Sequence, residues 1–284
     1  MKLKDYFTLG NLLGGFGAVL ALMHDDFTLA CALVYIAYAC DVLDGPVARL
    51  TKQFDTFGGH FDSASDFVTN SIVTGFIVYY AFLHHAGYPW WAAATLGAFP
   101  VAFGTIRQAR QQDKPTYFPC YWLGLPRPVA SLFIVALLNS ALFTIDVSPW
   151  KEVAHGVTAA LIIVLSYLHL SNLPFCSNKE RRWLGGMRFG ILWFLGGSPL
   201  ISIVALYLGD AHIFFEYILA SLSVYIFLSW TQIPKSDLAK VRAYLNGGAV
   251  EKPLVHVESP WVPSSFTPYF DERSRTPTPN PPES

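Results

Sequence analysis

The sequence predicts an all-α integral membrane protein of about eight transmembrane helices. Three observations carry that prediction. Of the 284 residues, 53% are hydrophobic and 14% charged, with a mean hydropathy of +0.38, whereas a soluble domain carries about 25% charged residues. Apolar runs recur at the length of roughly 20 residues that a helix needs to cross a bilayer, at about 6–23, 27–43, 66–84, 89–106, 127–145, 152–170, 188–208 and 211–231. With the N-terminus inside, segments 1–5, 44–65, 107–126, 171–187 and 232–284 face the cytoplasm. Every Lys and Arg except Lys151 lies in or within a residue or two of those segments, as the positive-inside rule requires.

The first run follows Lys2 and Lys4 and contains Gly10, Gly14, Gly15 and Gly17, which suit close helix packing. It lacks a small-residue cleavage site and reads as a retained helix, not a signal peptide. The second run, LACALVYIAYAC, stops at an acidic segment, DVLDGPVARLTKQFDTFGGHFDSASD, and the third, FVTNSIVTGFIVYYAFL, follows it. The fourth run leads into IRQARQQ, and the fifth follows WLGLPRPVAS. The loops around His24, His84 and Gly209 hold no Lys or Arg. A basic, aromatic-capped loop, NKERRW at Asn178 to Trp183, precedes the seventh run and reads as an interfacial anchor.

After Ile233 the composition changes, and nine of the 19 prolines fall there. The expected organisation is a membrane domain over 1–231 and a cytoplasmic, partly disordered Pro-rich tail over 232–284. Within the tail, 235–247 reads as one short helix closed by Gly247, while Trp261, Phe266, Tyr269 and Phe270 could dock on a membrane or on a neighbouring subunit. Cys31, Cys40, Cys120 and Cys176 have no CxxC spacing and read as small core hydrophobes. A net charge of -1 gives no nucleic-acid signature.

The acidic segment is the chemical anomaly. On a helix, Asp41 and Asp44 lie about 60° apart and Asp62 and Asp66 about 40° apart. Each pair shares a face, and antiparallel neighbours bring all four to one depth at the cytoplasmic end. Four ionised carboxylates in one pocket repel one another. Two divalent cations relieve that repulsion, and an all-oxygen ligand set suits Mg²⁺, Mn²⁺ or Ca²⁺. Paired ions of this kind drive phosphoryl transfer. Arg49 can hold phosphate oxygens, and Gly45 and Ala48 keep the same face small. Helix-terminating charges at an interface are the bland alternative, which four Asp with an Arg and small residues fit poorly. A metal-ion transporter is the alternative from another class. It is disfavoured because the acids sit at one end, beside a repelling Arg49.

The spacing Asp41-x2-Asp44-Gly45-x2-Ala48-Arg49-x8-Gly58-x3-Asp62-x3-Asp66 resembles the signature of the CDP-alcohol phosphatidyltransferases without departure. The resemblance implies transfer of a phosphatidyl group from a CDP-linked lipid to an alcohol, with release of CMP. It implies that Asp41, Asp44 and Asp62 ligate two metal ions, and that Asp66 both ligates metal and takes the proton of the attacking hydroxyl. Gly45, Ala48, Arg49 and Gly58 would then shape the CDP site.

The resemblance extends to the acceptor. Thr8, Asn11, Leu12 and Gly15 fit a TxxNLxxG-like opening of the membrane-embedded phosphatidylserine synthases, which places Thr8 and Asn11 at the CDP site. Arg107, Ala109 and Arg110 fit their LRxARFN stretch, and Gly124, Leu125, Pro126, Pro128 and Ala130 fit FxGLPxPxA. Arg107 and Arg110 become candidates for the serine carboxylate or a lipid phosphate, against a bland role as interfacial anchors. The departures are Gln111 and Gln112, His60 and Phe61, and FVTNSIVTGF after Asp66. Serine is favoured, with choline, glycerol 3-phosphate and inositol phosphate as alternatives. Family likeness also implies a homodimer. The expected location is a bacterial or archaeal cell membrane, with both termini cytoplasmic as the distribution of basic residues requires.

Overall fold

A computed structural model of the chain describes residues 2–51, 56–113, 117–118, 121–176, 185–228, 231 and 233–245. The side chain of Arg49, Cys120, the NKERRW stretch and the tail beyond 245 lie outside the described residues.

Most of the described chain is helical. In order come α1 (Leu3–Met23), α2 (Phe27–Thr51), α3 (Thr56–Phe67), α4 (Thr74–Tyr80), α5 (Trp90–Asp113), α6 (Arg127–Leu138), α7 (Ala141–Thr144), α8 (Trp150–Leu168), α9 (Gly185–Leu208), α10 (Ala211–Leu228) and α11 (Lys235–Leu245). Among the described residues, six helical stretches are long and apolar enough to cross a membrane: Leu3–Met23, Phe27–Ala48, Phe57–His85, Arg127–Thr144, Trp150–Leu168 and Ala211–Leu228. The predicted runs at 89–106 and 188–208 are helices too, but fall short of that measure. In α5 the run is diluted by Gly97, Pro100 and Gly104 and by the polar end after Ile106. In α9 the described side chains include a shorter apolar stretch, Trp193–Leu208.

Two further differences from the sequence reading concern helix ends. The acidic segment is itself largely helical, because α2 continues to Thr51 and α3 starts at Thr56. Pro46 lies inside α2 and lacks the N–H that would bond the Val42 carbonyl, which interrupts the ladder one turn beyond Asp41. The third span also changes winding. Between α3 and α4 the turn Val68–Val73 is π-helical, and a second π turn, Ala81–His85, ends the span. The first brings Thr69, Asn70 and Ser71 into the interior in succession, where they pack among α1, α5 and α6.

The glycines of α1 are used inside the chain. A Cβ on Gly14 would meet Ala37 Cβ of α2 at 2.9 Å, and one on Gly15 would meet Thr69 Oγ1 at 2.7 Å. Close approach therefore lets α1 pack tightly against α2 and the π turn. These faces are already covered by the protein's own helices. Of the cysteines, Cys31 and Cys176 are buried and Cys40 is half-buried, all as free thiols.

The expected all-α class needs one correction, a small antiparallel sheet in the order β1 (Tyr117–Phe118), β2 (Tyr121–Leu123), β3 (Pro174–Cys176). Its strands come from the segments after α5 and after α8, where aromatic and apolar residues pair across Trp122↔Phe175 and Tyr121↔Cys176. Helix α11 packs on this sheet through Val241 and Leu238, against Tyr121, Leu123 and Cys176. Tyr121 donates its hydroxyl to Asp237 Oδ2 at 2.8 Å. Residues 233–245, which composition groups with the Pro-rich tail, thus rest on the body of the protein.

Gly124 follows β2 with φ +78, and a Cβ there would meet the His169 carbonyl oxygen at 2.6 Å and Arg107 Nη1 at 2.7 Å. Both the backbone conformation and the buried guanidinium oppose any side chain. Gly124→Ala should destabilise the protein by about 1–3 kcal/mol, seen as a lower thermal midpoint in detergent. An unchanged midpoint would show that the loop can relax around a methyl group.

Candidate active site

The site is built by the end of the bundle where α1 begins, α2 ends and α3 begins. Asp41 and Asp44 come from α2, and Asp62 and Asp66 from α3. Carboxylate oxygens of Asp41, Asp62 and Asp66 lie within 4.8 Å of one another. Asp44 adjoins Asp62, and Asp41 adjoins Asp66. The helical spacing therefore converges all four carboxylates, as their positions on shared faces require.

Polar residues of α1 and the π turn orient them. Thr8 donates its hydroxyl to Asp44 Oδ2 at 3.1 Å. Asn11 and Asn70 each donate an amide N–H to Asp66 Oδ1, at 3.2 and 3.3 Å. Two donors on one oxygen fix the rotation of that carboxylate. The Asn11 side-chain oxygen is buried without a hydrogen-bond partner. Thr8 and Asn11 thus touch two of the aspartates directly, so these two residues, read from sequence as part of the CDP site, sit beside the acidic cluster. Gly58 and Ala48 are buried at the same end, and Gly45 is half-buried one residue past Asp44.

Clustered, partly buried carboxylates suit a hard divalent cation. The donor set is oxygen only, the three clustered oxygens are close enough to share an ion, and the amides of Asn11 and Asn70 provide the supporting hydrogen bonds that ligating carboxylates need. A hard divalent cation such as Mg²⁺, Mn²⁺ or Ca²⁺ fits this set.

Arg107 and Arg110 bond to the protein's own backbone. Arg107 is 2% exposed and donates through Nη1 to the carbonyls of Leu123 (3.0 Å) and His169 (2.8 Å). Arg110 donates to the Leu170 carbonyl (2.8 Å) and to Asn172 Oδ1 (2.5 Å). Both brace the turn after α8. His169 closes the same brace: its Nδ1–H donates to the Leu125 carbonyl at 2.9 Å.

Three features escaped the sequence reading. Asn70 grips Asp66 from a π turn that no apolar periodicity announces. Gln108 of α5 donates to Ser63 Oγ at 2.7 Å, tying α5 to the acidic helix. Arg127, between the two prolines of GLPRP, is buried, and its charge acts on Asp66, Asp62 and Asp41. The available signal was its place at the first turn of a helix at the same end as the aspartates, but a basic residue there also satisfies the positive-inside rule.

The sequence model of the family described as CDP-alcohol phosphatidyltransferase matches residues 1–174, a stretch that includes every site residue above. A CDP-diacylglycerol–serine O-phosphatidyltransferase of Helicobacter pylori is 29% identical over 183 residues, covering 63% of this chain and 73% of the relative. One of Methanocaldococcus jannaschii is 34% identical over 179 residues, covering 62% and 74%. An archaetidylserine synthase of Methanothermobacter thermautotrophicus is 26% identical over 177 residues, covering 62% and 70%.

Proposed function

The chain belongs to the CDP-alcohol phosphatidyltransferase family, and from that premise we propose that it transfers a phosphatidyl group from CDP-diacylglycerol to the hydroxyl of serine, releasing CMP. The observation that carries this reading is the convergence of Asp41, Asp62 and Asp66, with Asp44 alongside, at one end of an apolar bundle. Serine is favoured as acceptor because relatives 26–34% identical are named for that transfer or its archaeal counterpart.

In this reading Asp41, Asp44, Asp62 and Asp66 hold two divalent cations. When bound, these ions neutralise charge on the phosphate that is attacked and on the departing CMP. The chain's own residues do the rest. Asp66, held in one rotation by Asn11 and Asn70, accepts the proton of the serine hydroxyl as its oxygen bonds to the lipid-proximal phosphorus. The phosphorus–oxygen bond to CMP breaks, and CMP leaves with the electron pair. Gly45, Ala48 and Gly58 leave room for the nucleotide, and Arg49 completes its site. Thr8 steadies Asp44. In-line positioning of nucleophile and leaving group supplies much of the rate.

The chain is an integral membrane protein in this reading, with α5 and α9 completing eight crossings. Support comes from the basic loops and from the packing of three segments expected on one side: those after α5 and α8 form one sheet, and α11 lies on it. The aspartates then face the cytoplasm, where the soluble acceptor is available. A homodimer in a bacterial or archaeal cell membrane, with the Pro-rich tail beyond α11 in the cytoplasm, completes the reading.

An acceptor panel tests it. Purified protein with CDP-diacylglycerol and Mn²⁺ is offered L-serine, choline, glycerol 3-phosphate and inositol phosphate, and the lipid product is identified by mass spectrometry. Phosphatidylserine is the expected product. A different phospholipid would remove serine while leaving the reaction class intact, and no product with any acceptor would remove the transferase reading.

A further inference from the structure

Arg127 opens α6 with Pro126 before it and Pro128 after it, and it is only 7% exposed. Its charge reaches Asp66, Asp62 and Asp41, yet among the described residues it donates no hydrogen bond. Its Nη1 is sealed from solvent without a partner. A buried guanidinium with unused donors is costly, and it presents a planar fork suited to an oxyanion.

The loop that carries it is firmly held. Gly124 N–H donates to the Leu173 carbonyl at 2.8 Å and Leu125 N–H to the Leu168 carbonyl at 3.0 Å. His169 holds the Leu125 carbonyl, and Arg107 joins the Leu123 and His169 carbonyls. A charge carried on so firmly held a loop, with a donor unspent and its field reaching the aspartates, is placed to meet a ligand. Charge balance gives the ligand's sign. Two divalent cations would neutralise four carboxylates, which leaves the nearby cationic side chains, Arg127 and Lys4 among them, as net positive charge. Position 127 is also a free position in the FxGLPxPxA pattern, so the motif does not require an arginine there.

We infer that Arg127 is a specificity-determining residue that binds an oxyanion beside the aspartates, either the carboxylate of the acceptor or a phosphate of the CDP-linked donor. The inference rests on reading the site as a serine phosphatidyltransferase centre. Arg107, buried and committed to backbone carbonyls, positions the loop, and Arg127 meets the substrate.

The test is calorimetric, on the full chain in detergent with Mn²⁺. Wild type, Arg127→Gln and Arg127→Lys are titrated with L-serine, with ethanolamine, which is the same amino alcohol without the carboxylate, and with CMP. If the anion is the carboxylate, Arg127→Gln weakens L-serine at least about tenfold and leaves ethanolamine within about twofold, the loss expected of one charge-assisted contact. If it is the phosphate, the loss falls on CMP instead. Arg127→Lys, which keeps the charge and loses the fork, gives a smaller loss on the same ligand. The inference is overturned if a Gln variant with an unshifted thermal midpoint binds both L-serine and CMP as wild type does. Should the Gln variant not fold, a Lys variant that binds both at wild-type strength overturns it equally, as does a wild type that binds neither. Wild-type CMP release is scored separately. Binding without any serine-dependent release would sink the transferase reading and leave the anion site at Arg127 standing.

Discussion

Asp66→Asn should reduce serine-dependent CMP release by at least about 10³-fold, because a positioned general base contributes about 10²–10⁴-fold and this one also ligates metal. Asparagine retains an Oδ1 acceptor for the amides of Asn11 and Asn70, which now bond Asp66 Oδ1, so the helix contacts should survive the change. Asp41, Asp44 and Asp62 remain to hold cation and donor. The expected profile is therefore lost turnover with retained, weakened binding of CDP-diacylglycerol, read by comparing product formation with equilibrium binding. Activity within about tenfold of wild type would remove Asp66 as the base, since that loss is below the range for such a group.

Removing divalent cations should abolish the reaction altogether. Without them the carboxylates of Asp41, Asp62 and Asp66, within 4.8 Å of one another, face an anionic donor, and the reactants repel the site. EDTA should bring CMP release to background, Mn²⁺ or Mg²⁺ should restore it, and K⁺ should not. Asp41→Asn removes one charged ligand, and ligand charge count sets affinity at such sites. The Mn²⁺ concentration for half-maximal rate should then rise by at least about tenfold in that variant. Full activity in EDTA would show that the cluster serves some other purpose.

The acidic centre was legible because its chemistry is local. Asp41 with Asp44, and Asp62 with Asp66, are three and four residues apart, so each pair converges as soon as its segment is helical. An antiparallel α2 and α3 then have few ways to avoid bringing the pairs together. The apolar runs were legible for a similar reason, because spanning length is a one-dimensional property. Helix ends were less so: composition separates greasy from polar, and the polar segment 44–65 is largely helical in spite of it.

What escaped depends on tertiary context. The β2–β3 pairing joins residues about fifty positions apart, Tyr121↔Cys176, and no short pattern encodes it. The π turn Val68–Val73 follows from polar residues that must meet α1, α5 and α6 at once, a demand set by those neighbours. Arg107 and Arg127 carry the same charge at the same end of the molecule, and sequence cannot separate the one that braces a turn from the one that faces the carboxylates. Each has one buried donor without a partner, Nε of Arg107 and Nη1 of Arg127. What distinguishes them is that Arg107 Nη1 is held by the carbonyls of Leu123 and His169, while the charge of Arg127 acts on the carboxylates.

The most direct measurement is the stoichiometry of the reaction itself. Purified wild-type protein, with Mn²⁺, CDP-diacylglycerol and isotopically labelled L-serine, should yield labelled phosphatidylserine and CMP in equal amounts, and Asp62→Asn under the same conditions should yield neither above background. CMP release that does not depend on serine, or equal product from wild type and Asp62→Asn, would contradict serine transfer at the aspartate cluster.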